Sequence, residues 1–144
     1  MSARVQSAPF DLVAELAGFG AGAGAIVTFT GVVRDDTGTM AALEIEHYPG
    51  MTERALSDYG SSAATRFNLA DWRIVHRHGR LAVGETIMMV ATAARHRQAA
   101  FQAADYLMDW LKSRAPFWKR EIGHDGAVRW VDAKTSDEDA LARW

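Results

Sequence analysis

Four cations, Lys112, Arg114, Lys119 and Arg120, fall within nine residues of the run Leu111-Lys112-Ser113-Arg114-Ala115-Pro116-Phe117-Trp118-Lys119-Arg120-Glu121. The whole chain carries a formal net charge of only -2, so the positive charge is local. Cations gathered in this way suit a phosphate or carboxylate-like anion. Their mutual repulsion also lowers a lysine pKa, which frees a neutral amine to act as base or nucleophile. Taken singly, Lys112 is what a helix C-terminus attracts, and Lys119 reads as a solvated strand residue. Together they are less easily explained in that way. Arg95-His96-Arg97 stands where a helix is expected to begin, and free backbone N–H groups there already attract anions. Cations are electrostatically unfavourable at that end, which favours a functional reading of His96 and Arg97. Arg34, at the end of a β-rich stretch, is a third cation at an element boundary.

Other chemistries are poorly served. The chain has no cysteine, which removes disulfides, thiolate metal sites and cysteine nucleophiles; any sulfur chemistry must use sulfur from another molecule. Of the five histidines, His76 and His78 share a predicted strand face, but no spacing supplies a third ligand, so no metal and no cofactor are expected. Gly18-Phe19-Gly20-Ala21-Gly22-Ala23-Gly24 follows a helix and opens a strand, the reverse of a dinucleotide loop, and reads as a flexible connector. No serine-hydrolase elbow or Walker pattern is present. The near-neutral charge argues against nucleic acid, and neither a signal-like h-region nor a membrane-spanning run occurs, so a cytoplasmic location is expected.

The elements that must hold these cations follow from periodicity. At 144 residues, 49% hydrophobic and 24% charged, the chain fits one globular domain, 1–144, with an N-terminal helix and Gly-rich connector over 1–24 and a tail over 135–144. Asp11 is placed to cap a short helix through Leu16 that Gly18 ends. Strands are expected over Ala25–Arg34, Ala42–Tyr48 and Trp72–His78, with a bent strand or hairpin over Leu81–Ala93 turning at Val83-Gly84-Glu85. Helices are expected over Met51–Phe67 and Gln98–Arg114, the second with Phe101, Ala104, Leu107, Met108 and Leu111 as its buried stripe. Pro116 stops that helix near Arg114. A hairpin follows from Phe117–Ile122 through His124-Asp125-Gly126 to Val128–Ala133, with Lys119 and Glu121 on one face and Trp118, Arg120 and Ile122 on the other. Ser136 with Asp139 suggests a last short helix, mobile in the absence of a partner. The sum is an α+β domain with helices packed on a largely antiparallel sheet.

Gly31-Val32-Val33-Arg34, Glu46-His47-Tyr48-Pro49-Gly50-Met51-Thr52, His76-Arg77-His78-Gly79, His96-Arg97 and the Leu111–Glu121 run, in that order, resemble the large catalytic subunit of molybdopterin synthase. The likeness spans about Ala25 to Lys134. It implies an α/β-hammerhead fold and a homodimeric core within a heterotetramer, each large subunit carrying a small thiocarboxylated ubiquitin-like subunit of the MoaD type. The implied reaction moves two sulfurs from that thiocarboxylate to cyclic pyranopterin monophosphate. By the same resemblance Lys112 and Lys119 are catalytic, and Arg34, His96, Arg97, Arg120 and Glu121 bind substrate. Three positions depart from the usual pattern: Val32 where a lysine is common, Ala94 where a small polar residue is, and Lys134 where an arginine is. Read from charge alone, the same cations would equally serve a non-catalytic dimeric module for a phosphorylated metabolite, or an adaptor for a ubiquitin-like partner.

Overall fold

The computed structural model describes the whole chain, Met1–Trp144. Its elements run β1 (Ser2–Gln6), α1 (Leu12–Leu16), β2 (Ala25–Val32), β3 (Met40–His47), α2 (Met51–Phe67), β4 (Asp71–Arg77), β5 (Gly79–Ala82), β6 (Thr86–Ala94), α3 (Arg97–Ser113), β7 (Phe117–Gly123), β8 (Val128–Trp130) and α4 (Thr135–Ala142). The strands make two sheets where the periodicity suggested one. The first has the order β1-β4-β6-β2 and the second β5-β3-β7-β8. All pairings are antiparallel except β1 on β4. The α+β class stands.

The stretch Leu81–Ala93 is not a self-paired hairpin. Its two halves turn at Val83-Gly84 and enter different sheets, β5 beside β3 and β6 between β4 and β2. Gly79 makes the preceding break, since its φ of +91 lets the chain leave β4 for the second sheet at little steric cost. Strand β1 is a further difference. Its sequence is too polar to read as a strand, yet Ala3 and Val5 pack on the main core, and the Arg77 guanidinium donates to the Ser7 carbonyl at 3.0 and 3.1 Å to hold the strand end. The glycine run is less free than a connector should be. A Cβ on Gly20 would overlap Ala93, and one on Gly24 would overlap the Arg95 carbonyl, while Phe19 is buried against Val75 and Met89.

Helices α2 and α3 cover one face of the first sheet, and Leu56, Ile74, Val90 and Leu107 form the centre of that core. The buried stripe of α3 is rotated from the expected one: Ala100, Ala103, Ala104, Leu107 and Leu111 face inward, and Phe101 is 60% exposed. Alanines let the helix lie close to the sheet, which turns the bulkier Phe101 outward. A smaller core of Val33, Met40, Leu43, Ile45 and Leu81 lies under the second sheet. The tail is folded rather than loose. Helix α4 starts after Lys134, with no side-chain cap from Ser136, and Leu141 is buried. Trp144 donates its indole N–H to Asp109 Oδ2 at 2.6 Å and sets its ring edge-on to Phe67 and Tyr106. Arg143 pairs with Asp105 and Asp109, each at 2.8 Å, and Arg114 pairs with Glu138.

Candidate functional site

The Pro116 break makes a sharp corner. Arg114 and Ala115 close α3 by donating to the Trp110 carbonyl, and Phe117 N–H donates to the Ala115 carbonyl at 2.8 Å before β7 begins. Lys112 stands exposed on the last helical turn, and Lys119 lies half-buried two residues into β7, opposite Ile45. The two ammonium groups feel each other. Burial, with the Lys112 charge as the second cause, pushes the Lys119 amine down to about 8. Neither lysine makes an ion pair. The arginines of the same segment are engaged: Arg114 by Glu138 and Arg120 by Glu44. What looks in sequence like one cluster of four cations is two neutralised arginines and two free lysines.

A histidine group floors the corner. The His76 ring stacks on Phe117 with centroids 3.8 Å apart, and its Nδ1–H donates to the Arg77 carbonyl at 2.8 Å. Burial first, and then the Lys119 charge, pushes His76 down to about 3, so the imidazole is neutral near pH 7. His47 and His78 lie 4.5 Å apart between ring centroids, and His47 Nδ1 is 3.3 Å from the Thr52 hydroxyl. These rings join the end of β3 to the segment leaving β4, so the histidine pattern seen in the sequence belongs to the wall behind Lys119.

Lys119 opens onto a groove of about 980 Å³ between the end of β2 and the β7–β8 hairpin. Arg34, Glu121 and Lys134 line it, with Val33, Leu43 and Ile87 as apolar floor. Arg34 is well exposed and holds Asp36 at 2.8 Å, and Glu121 holds Arg129 at 2.5 Å. Val32, at the bulge that ends β2, also lines the groove and is exposed. Lys112 faces a neighbouring hollow of about 620 Å³ between β2 and α3, lined by Phe29, Phe101, Met108 and Asp137.

Three of the expected site residues are not with the lysines in this chain. Arg120 is on the opposite face of β7, where it bonds Glu44 and lies over the Trp130 ring at 5.5 Å. His96 and Arg97 sit exposed at the far end of α3, and a rise of 1.5 Å per residue puts Arg97 about 22 Å from Lys112 along the helix. Sequence reasoning missed Asp137 and assigned no role to His76. No local pattern marks either, because both reach the lysines only through tertiary contacts.

Fold and site together define an α+β enzyme-like domain in which two sheets meet at a lysine-bearing groove. The model of the MoaE protein family matches residues 5–114. A molybdopterin synthase catalytic subunit from Cereibacter sphaeroides is 58% identical, covering 100% of both chains. A molybdopterin biosynthesis MoaE protein from Burkholderia ambifaria, solved as a structure, is 49% identical with a TM-score of 0.85, covering 99% of this chain and 97% of its own. A solved protein–protein complex of subunits 1 and 2 of molybdopterin-converting factor from Helicobacter pylori contains a chain with the same fold, at 17% identity and a TM-score of 0.73, covering 92% of this chain and 90% of its own. The chain belongs to the MoaE family, and so to the enzyme subunits of molybdenum cofactor biosynthesis.

Proposed function

We propose that the chain transfers sulfur from the C-terminal thiocarboxylate of a small ubiquitin-like subunit to cyclic pyranopterin monophosphate, forming the dithiolene of molybdopterin. The observation that carries this reading is the pair of lysines left without carboxylate partners beside a groove, one amine lowered to about 8. A groove of about 980 Å³ has room for a chain terminus, and the lysines present positive charge to a terminal thiocarboxylate and to the oxyanion that develops on its carbonyl. Each thiocarboxylate sulfur forms a bond to a side-chain carbon of the pterin as a C–O bond of that carbon breaks, the oxygen leaving as water from one carbon and staying on the phosphate as its ring opens at the other. Water then hydrolyses each resulting thioester, leaving the sulfur on the pterin and an ordinary carboxylate on the partner. Lys112 serves as acid/base or transient acyl acceptor, and Lys119 supports the developing charge. With no cysteine in the chain, delivery of sulfur by a partner fits its composition.

Arg34 at the groove holds phosphate in this reading, and Glu121 lies on the same side of β7. Arg120 is left out, because its guanidinium is committed to Glu44. His96 and Arg97 serve the same site only if a second copy contributes them, since α3 holds them a helix length from Lys112. The edge strand β2 is suited to such a contact. It exposes Ile26, Phe29 and Val32, and Phe101 of α3 stands exposed beside it. The two-subunit complex known for the Helicobacter pylori fold relative is in keeping with the small partner. The test supplies a thiocarboxylated small subunit and the cyclic pterin and measures molybdopterin formation by wild type and Lys112→Ala. Turnover lost with substrate binding kept supports the reading. Undiminished turnover removes Lys112 from the chemistry, and no product from wild type leaves a binding module or an adaptor.

A further inference from the structure

The carboxylates around the lysine pair are nearly all committed. In the hollow facing Lys112, Asp105 and Asp109 are held by Arg143, and Asp109 also accepts the Trp144 indole N–H. In the groove facing Lys119, Glu121 is held by Arg129 and Asp36 by Arg34. Asp35 accepts three backbone N–H groups, from Thr37, Gly38 and Met40, so its charge is satisfied within its own loop. The remaining groove cation is Lys134, and Asp132 lies toward Arg129. The groups behind Lys119, from β4 and the end of β3, are the neutral His76 with His47 and His78.

Asp137 is the exception. It sits on the first turn of α4, half-buried, and its carboxylate makes neither an ion pair nor a hydrogen bond. It lines the same hollow as Lys112, and its charge also acts on Lys119, opposing the effect of Lys112. We propose that Asp137 is a long-range counter-charge to the site lysines, a positioning residue on α4 that shares the Lys112 hollow without pairing with either amine. The proposal rests on the reading of Lys112 and Lys119 as site lysines. An acidic residue on a first helical turn is also favoured by the helix dipole, and that role alone would act on α4 and not on the lysines.

Its position follows from the docking of α4. The Arg114–Glu138 pair, the Arg143 clamp and the Trp144 ring fix the helix at both ends, so the Asp137 carboxylate is held at the Lys112 hollow rather than on a free tail. A negative charge there keeps the Lys119 amine more protonated than burial alone would, and it competes with any other anion for the lysines.

The experiment uses the full chain alone, with its lysines reductively ¹³C-methylated and followed by NMR, so it needs no turnover. The Lys119 methyl signal, assigned with Lys119→Met, is titrated with pH in wild type, in Asp137→Asn and in Asp139→Asn, which removes a carboxylate of the same helix. Inorganic phosphate is then titrated into each at pH 7. The expected result is a Lys119 midpoint shifted to lower pH and phosphate bound several-fold more tightly in Asp137→Asn, with Asp139→Asn matching wild type in both. A Lys119 midpoint and phosphate affinity unchanged in Asp137→Asn, with α4 amides still protected from exchange, would overturn the proposal. If the Asp137→Asn helix undocks, Asp137→Glu replaces it and is expected to keep the wild-type midpoint; a downward shift in that variant with α4 docked would also overturn it. Failure of sulfur transfer with these outcomes intact would count against the catalytic reading alone.

Discussion

Replacing Lys119 by methionine should stabilise the protein while abolishing its chemistry. The side chain keeps its length and apolar stem, and the substitution removes only an ammonium that the fold has partly taken out of water. Burial and the Lys112 charge lower the amine from 10.5 to about 8. The folded-state pKa lies below the unfolded one, so between the two values the unfolded chain binds more protons, and stability rises with pH across that window. The amine costs the folded state on the order of 3 kcal/mol at pH 7, below the window, falling to roughly 1 kcal/mol at pH 10, near its upper end; screening at the open side of the groove makes these upper figures. Urea unfolding of wild type and Lys119→Met from pH 7 to pH 10 measures the difference directly, because contributions from other groups cancel between the two. The variant should be more stable at pH 7, with an advantage that shrinks toward pH 10. An advantage under about 0.5 kcal/mol that stays constant over this range would show that the amine is hydrated and that burial does not set its pKa. A site residue that costs stability in this way is what a trade of stability for function predicts.

Gly60→Ala puts a Cβ into the Trp72 ring where α2 crosses β4, and should cost about 2 kcal/mol net of the gain in helix propensity, read by thermal unfolding. Trp144→Ala removes the edge-on contacts to Phe67 and Tyr106 and the bond to Asp109, so hydrogen exchange should find the α4 amides protected in wild type and exposed in the variant. Free exchange of α4 in the isolated wild type would restore the mobile tail that the sequence suggests. Arg34→Ala should weaken binding of the pterin phosphate and flatten its salt dependence, measured by calorimetry at two ionic strengths; unchanged binding would place Arg34 outside the site.

The local signals in the chain were read correctly where local physics decides. Asp11 caps α1 by accepting from Val13 and Ala14 N–H, Gly18 takes a left-handed position just past its end, and Pro116 lies between the end of α3 and the start of β7. Lys119 and Arg120 had to face opposite sides of β7, since strand side chains alternate. The five segments from Gly31–Arg34 to Leu111–Glu121 were enough to identify the family the chain belongs to.

Other features depend on long-range partners that no spacing encodes. The polar strand β1 exists because β4 offers it a parallel edge, and the stretch Leu81–Ala93 divides between two sheets because its halves find different neighbours. Which cations stay free is decided the same way. Arg114 and Arg120 are taken by carboxylates 24 and 76 residues away, which leaves Lys112 and Lys119 unpaired, with Asp137 folded back to the Lys112 hollow. Charge type and strand face are written along the chain, but whether a charge is neutralised depends on what is packed within a few ångströms of it, and only the tertiary fold sets that distance.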